Sequence, residues 1–198
     1  MTKRVFIIHG WEALPKSDWF PWIKKELEIK NYEVNIPAMP DTDEPKIEPW
    51  VSKIKEIVGE PDENTYFIGH SIGCQAILRY LQTLENKKIG GVIFVAGWFN
   101  LKEFAYKEEP DDEEEARAIA KPWIEGSIDF NKIKQTANNF TAIFSDNDPY
   151  VSLENKDIFE EKLSAKIIVE KNKKHFRKID NITELPIVLE ELLRISEE

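Results

Sequence analysis

Residues 66–84 read YFIGHSIGCQAILRYLQTL, and the two ends of this stretch obey different periodicities. Tyr66, Phe67 and Ile68 are aromatic or β-branched, as strand residues are, whereas from Ile72 onward apolar residues recur at helical spacing. Between them Gly69-His70-Ser71-Ile72-Gly73 matches G-x-S-x-G in the strand–turn–helix setting that gives the pattern a mechanism. The turn forces Ser71 into a strained main-chain conformation, and the flanking glycines remove side chains that would collide with the adjoining helix and strand. The hydroxyl is presented on a sharp elbow at a helix N-terminus, where the N–H of Ile72 and the helix dipole favour a developing oxyanion.

Working outward, strand-like runs occur at 5–9 (VFIIH), 32–36 (YEVNI), 66–69 (YFIG), 92–96 (VIFVA), 141–145 (TAIFS) and 166–170 (KIIVE). Amphipathic helical patterns separate most of them, over 19–29 (with Pro21 near the start), 48–58, 72–84, 153–163 and 184–195. Strand and helix taking turns predicts βαβ units with right-handed crossovers. The expectation is a three-layer α/β fold, with a mostly parallel sheet of about six strands and helices on both faces. VFIIH and VIFVA are apolar at nearly every position, as strands buried on both faces are, and are expected at the centre. One interval breaks the rhythm. About 40 residues separate VIFVA from TAIFS, carrying Trp98, Phe99, Phe104, Tyr106, Trp123 and Phe130. This is read as a small helical cap, a cap-like insertion at about 98–138 within one domain spanning 1–198, over the sheet edge where open α/β folds bind ligands.

A serine hydroxyl is a weak nucleophile at neutral pH and needs a base within hydrogen-bond reach and a carboxylate to set that base's tautomer. The chain has three histidines. His70 adjoins Ser71 on the elbow and is expected to point away from it, and His9 ends the first strand. His175, in the loop after KIIVE, remains as the base, in the chain order serine, acid, histidine. After TAIFS the chain reads Asp146-Asn147-Asp148-Pro149-Tyr150-Val151, so Asp146 and Asp148 both qualify as the acid. Pro149 favours Asp148, because it holds the preceding residue extended. A second oxyanion donor is expected from His9-Gly10-Trp11, where Gly10 permits close approach and the N–H of Trp11 is the candidate. The rings of Trp11, Trp98, Phe99 and Trp123 are candidates for the substrate pocket. Cys74, one helical turn past Ser71, reads as a small buried hydrophobe.

Bulk properties exclude several classes. Of 198 residues, 41% are hydrophobic, with 11 Phe and 6 Trp, which excludes a disordered chain, and no apolar run approaches the roughly 18 residues a membrane span needs. A net charge of −10 makes nucleic acid an unexpected partner. Seven carboxylates crowd 108–115 (EEPDDEEE), the pattern of a solvated surface segment. The apolar run after Arg4 is about five residues, short of the roughly 7–15 of a secretory core, and reads as a first strand. With a single cysteine no intrachain disulfide is possible, and a cytoplasmic location is the simplest expectation. No HExxH, CxxC, P-loop or GxGxxG is present, so neither metal nor nucleotide cofactor is expected.

Across nearly the whole chain the strand-HG loop, GHSIG, DNDPYV and KHF fall in the order of the α/β hydrolases. The small size and absence of N-terminal antiparallel strands most resemble the compact serine hydrolases that include retinoblastoma-binding protein 9 and bacterial YdeN-like proteins. That resemblance implies a Ser71–His175–Asp148 triad, a strand order of about 2-1-3-4-5-6, and hydrolysis of a carboxylic ester, thioester or amide without cofactor, of the carboxylesterase type. Many such enzymes carry glycine directly before the base histidine, where this chain has Lys174. Two further readings stay open: an acyltransferase with the same residues, and a fold acting mainly as a protein-binding module with weak or no catalysis.

Overall fold

The computed structural model describes residues 2–106 and 113–197. The chain alternates β1 (Arg4–Ile8), α1 (Phe20–Ile29), β2 (Glu33–Asn35), α2 (Ile47–Val58), β3 (Thr65–His70), α3 (Ile72–Leu81) and β4 (Gly91–Val95). After an interval it resumes with β5 (Phe140–Ser145), then a helix at Glu154–Leu163, β6 (Lys166–Glu170) and a last helix at Pro186–Glu197. All neighbouring strands pair in parallel, in the order β2-β1-β3-β4-β5-β6. The expected six strands and their order are therefore observed, with β1, β3 and β4 in the interior of the sheet.

Two cores lie on opposite faces, and the strands alternate between them. In β1, Phe6 and Ile8 join one core with Trp50, Ile54 and Val58 of α2 and Ile77 and Leu81 of α3. Val5 and Ile7 join the other, with Phe20, Ile23 and Leu27 of α1 and Val188 and Leu192 of the last helix. Successive strand side chains point to opposite faces, so residues apolar at every position are what a sheet covered on both sides demands. The helix expected to reach Leu84 closes at Leu81, because the Thr83 N–H and hydroxyl both turn back onto the Tyr80 carbonyl.

The interval between β4 and β5 contains a 3₁₀ turn at Glu103–Tyr106, α4 (Glu113–Glu125) and α5 (Phe130–Lys134). Of the acidic run, 108–112 lie outside the described residues. The helices after β5 are thus α6 (Glu154–Leu163) and α7 (Pro186–Glu197). Trp123 of α4 and Ile133 of α5 are buried in the same core as α2 and α3. Buried Arg79 of α3 fastens this interval, donating to the carbonyls of Trp123 (2.8 Å) and Gly126 (3.1 Å) with its guanidinium over the Trp123 ring. It also bonds the Gln75 side chain, which in turn donates to the Trp98 carbonyl. One helical face, residues 75 and 79, thereby holds this interval at Trp98 and again at Trp123 and Gly126. Among the described residues no helix is long and apolar enough to cross a membrane.

Candidate active site

β3 ends in the elbow. Ser71 has φ 52° and ψ −123°, a conformation that L-residues rarely adopt, and its N–H donates to the Val95 carbonyl at 2.9 Å. The neighbouring glycines are sterically required. A Cβ on Gly69 would stand 2.9 Å from the main chain of Cys74, and one on Gly73 would stand 2.2 Å from the Ile8 carbonyl oxygen. Helix α3 can therefore cross close over β1 and start immediately after Ser71. Cys74 is buried against the Val95 carbonyl, and burial pushes its thiol far up, so it behaves as the small hydrophobe expected.

Beyond β5 and β6 two loops are laced together residue by residue. Ser145 Oγ accepts from the Lys173 N–H (3.0 Å), Asp146 Oδ1 from Asn172 (2.8 Å), and Asn147 Oδ1 from Lys174 (2.8 Å). Asp148 Oδ2 meets His175 Nδ1 at 2.8 Å, while its Oδ1 accepts from the N–H groups of Tyr150 (2.8 Å) and Val151 (3.0 Å). Both His175 and Asp148 are buried. The two aspartates left open by sequence are thus separated by geometry: Asp148 contacts the histidine, and Asp146 holds the Asn172 N–H of the facing loop. Lys174, standing where glycine was anticipated, has φ +46°, and Phe176 has φ +57°. A left-handed L-residue costs about 1–2 kcal/mol, part of which glycine returns as backbone entropy on folding. Lys174→Gly keeps every main-chain bond of the loop, so it is expected to raise stability slightly, by up to about 1 kcal/mol, in a urea titration.

On the opposite side of Ser71 lies the loop after β1. His9 Nδ1 meets the Gly10 carbonyl at 3.0 Å, and the Met39 N–H donates to Nε2 at 3.2 Å, so the proton resides on Nδ1. The Gly10 carbonyl and the Trp11 N–H belong to one peptide unit, so gripping the oxygen also fixes where that N–H points. Among the described residues the N–H groups of Trp11 and Ile72 have no acceptor. Three indoles brace the adjacent loop, Trp50, Trp11 and Trp123 donating to the carbonyls of Pro40, Asp43 and Pro45.

These elements enclose a cavity of about 530 Å³ whose walls include Gly10, Trp11, Ser71, Ile72, Trp98 and His175. Phe99 and Trp123, expected in the pocket, are not among its walls. Phe99 packs on Phe130 and Phe159 with its N–H held by Asn155, and Trp123 is buried in the core. Leu101, Ala105, Ala116 and Tyr150 take part instead, with Glu12, Asp18 and Arg177 as charged members. The sequence offered only proximity in number for Tyr150 and Arg177. Tyr150 packs edge-on to His175 at 5.0 Å, and Arg177 lies over the Tyr150 ring at 4.8 Å. Asp18 accepts from the Lys178 N–H at 2.7 Å, and burial raises its pKa.

Comparison with known proteins gives these positions a setting. YdeN of Bacillus subtilis is 33% identical over 193 residues, covering 97% of this chain and 95% of YdeN. The crystal structure of the ydeN product matches with a TM-score of 0.88 over the full length of both chains. The serine hydrolase RBBP9 of Rattus norvegicus is 26% identical over 180 residues, 89% of this chain and 88% of that protein. A carboxylesterase of Nitrososphaera gargenis shares the fold at a TM-score of 0.70 and 12% identity, over 99% and 91% of the two chains. The model of the family described as serine hydrolase matches residues 5–194, so the chain belongs to the serine hydrolases.

Proposed function

We propose that the protein hydrolyses a carboxylic ester, thioester or amide of modest size through an acyl-enzyme on Ser71. The observation that carries this reading is the 2.8 Å contact of Asp148 with His175 Nδ1. It leaves Nε2 as the nitrogen to serve Ser71 across the cavity that both residues line. His175 takes the hydroxyl proton as Oγ attacks the carbonyl carbon, and the resulting oxyanion receives the N–H groups of Ile72 and Trp11. Collapse breaks the bond to the leaving alcohol, thiol or amine, which takes the proton from His175. Water then attacks the acyl-serine, again giving its proton to His175, and the collapse releases a carboxylic acid and restores Ser71. No cofactor enters this sequence. Walls of Trp11, Trp98, Leu101 and Tyr150 suit an apolar acyl or aryl group.

The test is covalent labelling with a fluorophosphonate at neutral pH, followed by peptide mass spectrometry. A single adduct on Ser71, absent from Ser71→Ala, is expected. Intact protein with no adduct would instead favour a binding module, which has no use for an activated serine.

A further inference from the structure

Among the buried titratable groups, His70 has no step in the chemistry above, yet it touches both halves of the site. It is covalently next to Ser71, and its Nε2 lies 2.9 Å from the main-chain carbonyl oxygen of His175. Because the partner is a carbonyl, Nε2 must carry the proton and donate it. The ring is fixed on the other side by edge contacts to Trp19 (6.2 Å) and Phe20 (5.9 Å), and it lies 5.1 Å from the ring of His175. Burial, with the neighbouring His175, pulls its pKa down to about 3, so it stays a neutral single donor at working pH.

The main chain at His175 needs such a partner. It sits between Lys174 at φ +46° and Phe176 at φ +57°, and main chain in that region persists only where surrounding contacts over-determine it. The Asn147 side chain holds the N–H of Lys174 and Asp148 holds the ring of His175. The Nε2–H of His70 holds the carbonyl that follows. We infer that His70 is a positioning residue, tying the main chain of the base to the elbow that carries the nucleophile and so setting the registry of Ser71 with His175. This inference rests on the reading of His175 as the base.

The experiment compares wild type, His70→Gln and His70→Phe in hydrolysis of p-nitrophenyl acetate, with thermal unfolding alongside. Gln carries an amide nitrogen at about the reach of Nε2 and keeps the bond; Phe keeps the ring and leaves the carbonyl unpaired. A misplacement on the order of 1 Å costs roughly 100-fold. On that scale, H70F is expected to lose about 10–100-fold in kcat with KM within about twofold, and H70Q to stay within a few-fold of wild type. If H70F lacks a cooperative unfolding transition, His70→Asn, too short to reach the carbonyl, takes its place. A folded donor-less variant with wild-type kcat overturns the proposal, and so does equal loss in H70Q. Nitrogen NMR of the imidazoles provides a readout independent of turnover: His70 is expected protonated at Nε2, and the opposite tautomer overturns the proposal. Wild-type protein that shows this tautomer but no Ser71-dependent hydrolysis counts against the hydrolase reading instead.

Discussion

Asp148→Asn is expected to lower kcat for ester hydrolysis by about 10⁴-fold, a barrier increase of about 5.5 kcal/mol, with little change in KM or in the unfolding midpoint. The size follows from the donors around the carboxylate. Oδ1 accepts from two main-chain N–H groups, those of Tyr150 and Val151, and these cannot turn away because Val151 is buried in the core. An asparagine must therefore offer them its carbonyl oxygen, which aims its NH₂ at His175. Nδ1 then has to accept, the ring proton moves to Nε2, and that nitrogen loses the lone pair with which the proposed mechanism takes the serine proton. The same substitution at Asp146 still offers the Asn172 N–H an amide oxygen and touches no ring nitrogen, so it is expected to change kcat by less than about tenfold. Steady-state kinetics on both variants decide the assignment. A collapse in Asp146→Asn with an active Asp148→Asn would hand the acid role to the other aspartate.

How much of this is legible from residues alone depends on the range of each interaction. The sheet is readable because its cause is local: strands such as VFIIH are apolar at every position since both faces are covered, and helical periodicity between them leaves parallel pairing as the available topology. Ser71 is readable for the same reason, since the glycines that permit the elbow adjoin it in sequence. The proposed acid is only half readable. Asp146 and Asp148 are both short side chains at a strand end, and what separates them is which residue of a loop 27 positions away stands opposite. The side chains of 145–147 on the N–H groups of 172–174 form a ladder between two loops, a tertiary fact with a faint signal in the run of small polar residues. The pocket was the least readable part. Trp123 and Phe99 have the aromatic character of a wall, but Arg79 and the Asn155 side chain draw their main chains into the body of the molecule, and alanines at 105 and 116 take the positions along the cavity. Size and hydrophobicity mark a residue as buried without saying which cavity or core receives it.

Gly73→Ala carries the largest expected effect on folding. The added Cβ would lie 2.2 Å from the Ile8 carbonyl oxygen and 2.7 Å from that of His9. Both are main-chain atoms at the end of an interior strand, and the Ile8 side chain is fully buried, so neither can swing aside as a flexible side chain would. Relief requires α3 to lift away from β1, and α3 carries Ile72, Cys74, Ala76, Ile77 and Leu78 in the core. Overpacking against mobile side chains costs about 1–3 kcal/mol, and a rigid main chain places this site at or above the upper end. A loss of about 3 kcal/mol corresponds to a fall of roughly 6–12 °C in Tm for a domain of this size. Gly59→Ala provides the contrast. At φ +63° and ψ −124° with open space around its Cβ, it pays only for a main-chain conformation that L-residues rarely adopt, about 1–3 kcal/mol. Lifting α3 also moves the N–H of Ile72 and the elbow relative to His175, so whatever Gly73→Ala protein folds is expected to lose about 100-fold in kcat. Gly59→Ala, remote from the cavity, is expected to keep wild-type kcat. Paired melting curves and kinetics on the two variants separate steric clash from conformational strain. Equal losses of stability would mean that the close crossing of α3 over β1 is not what selects glycine at position 73.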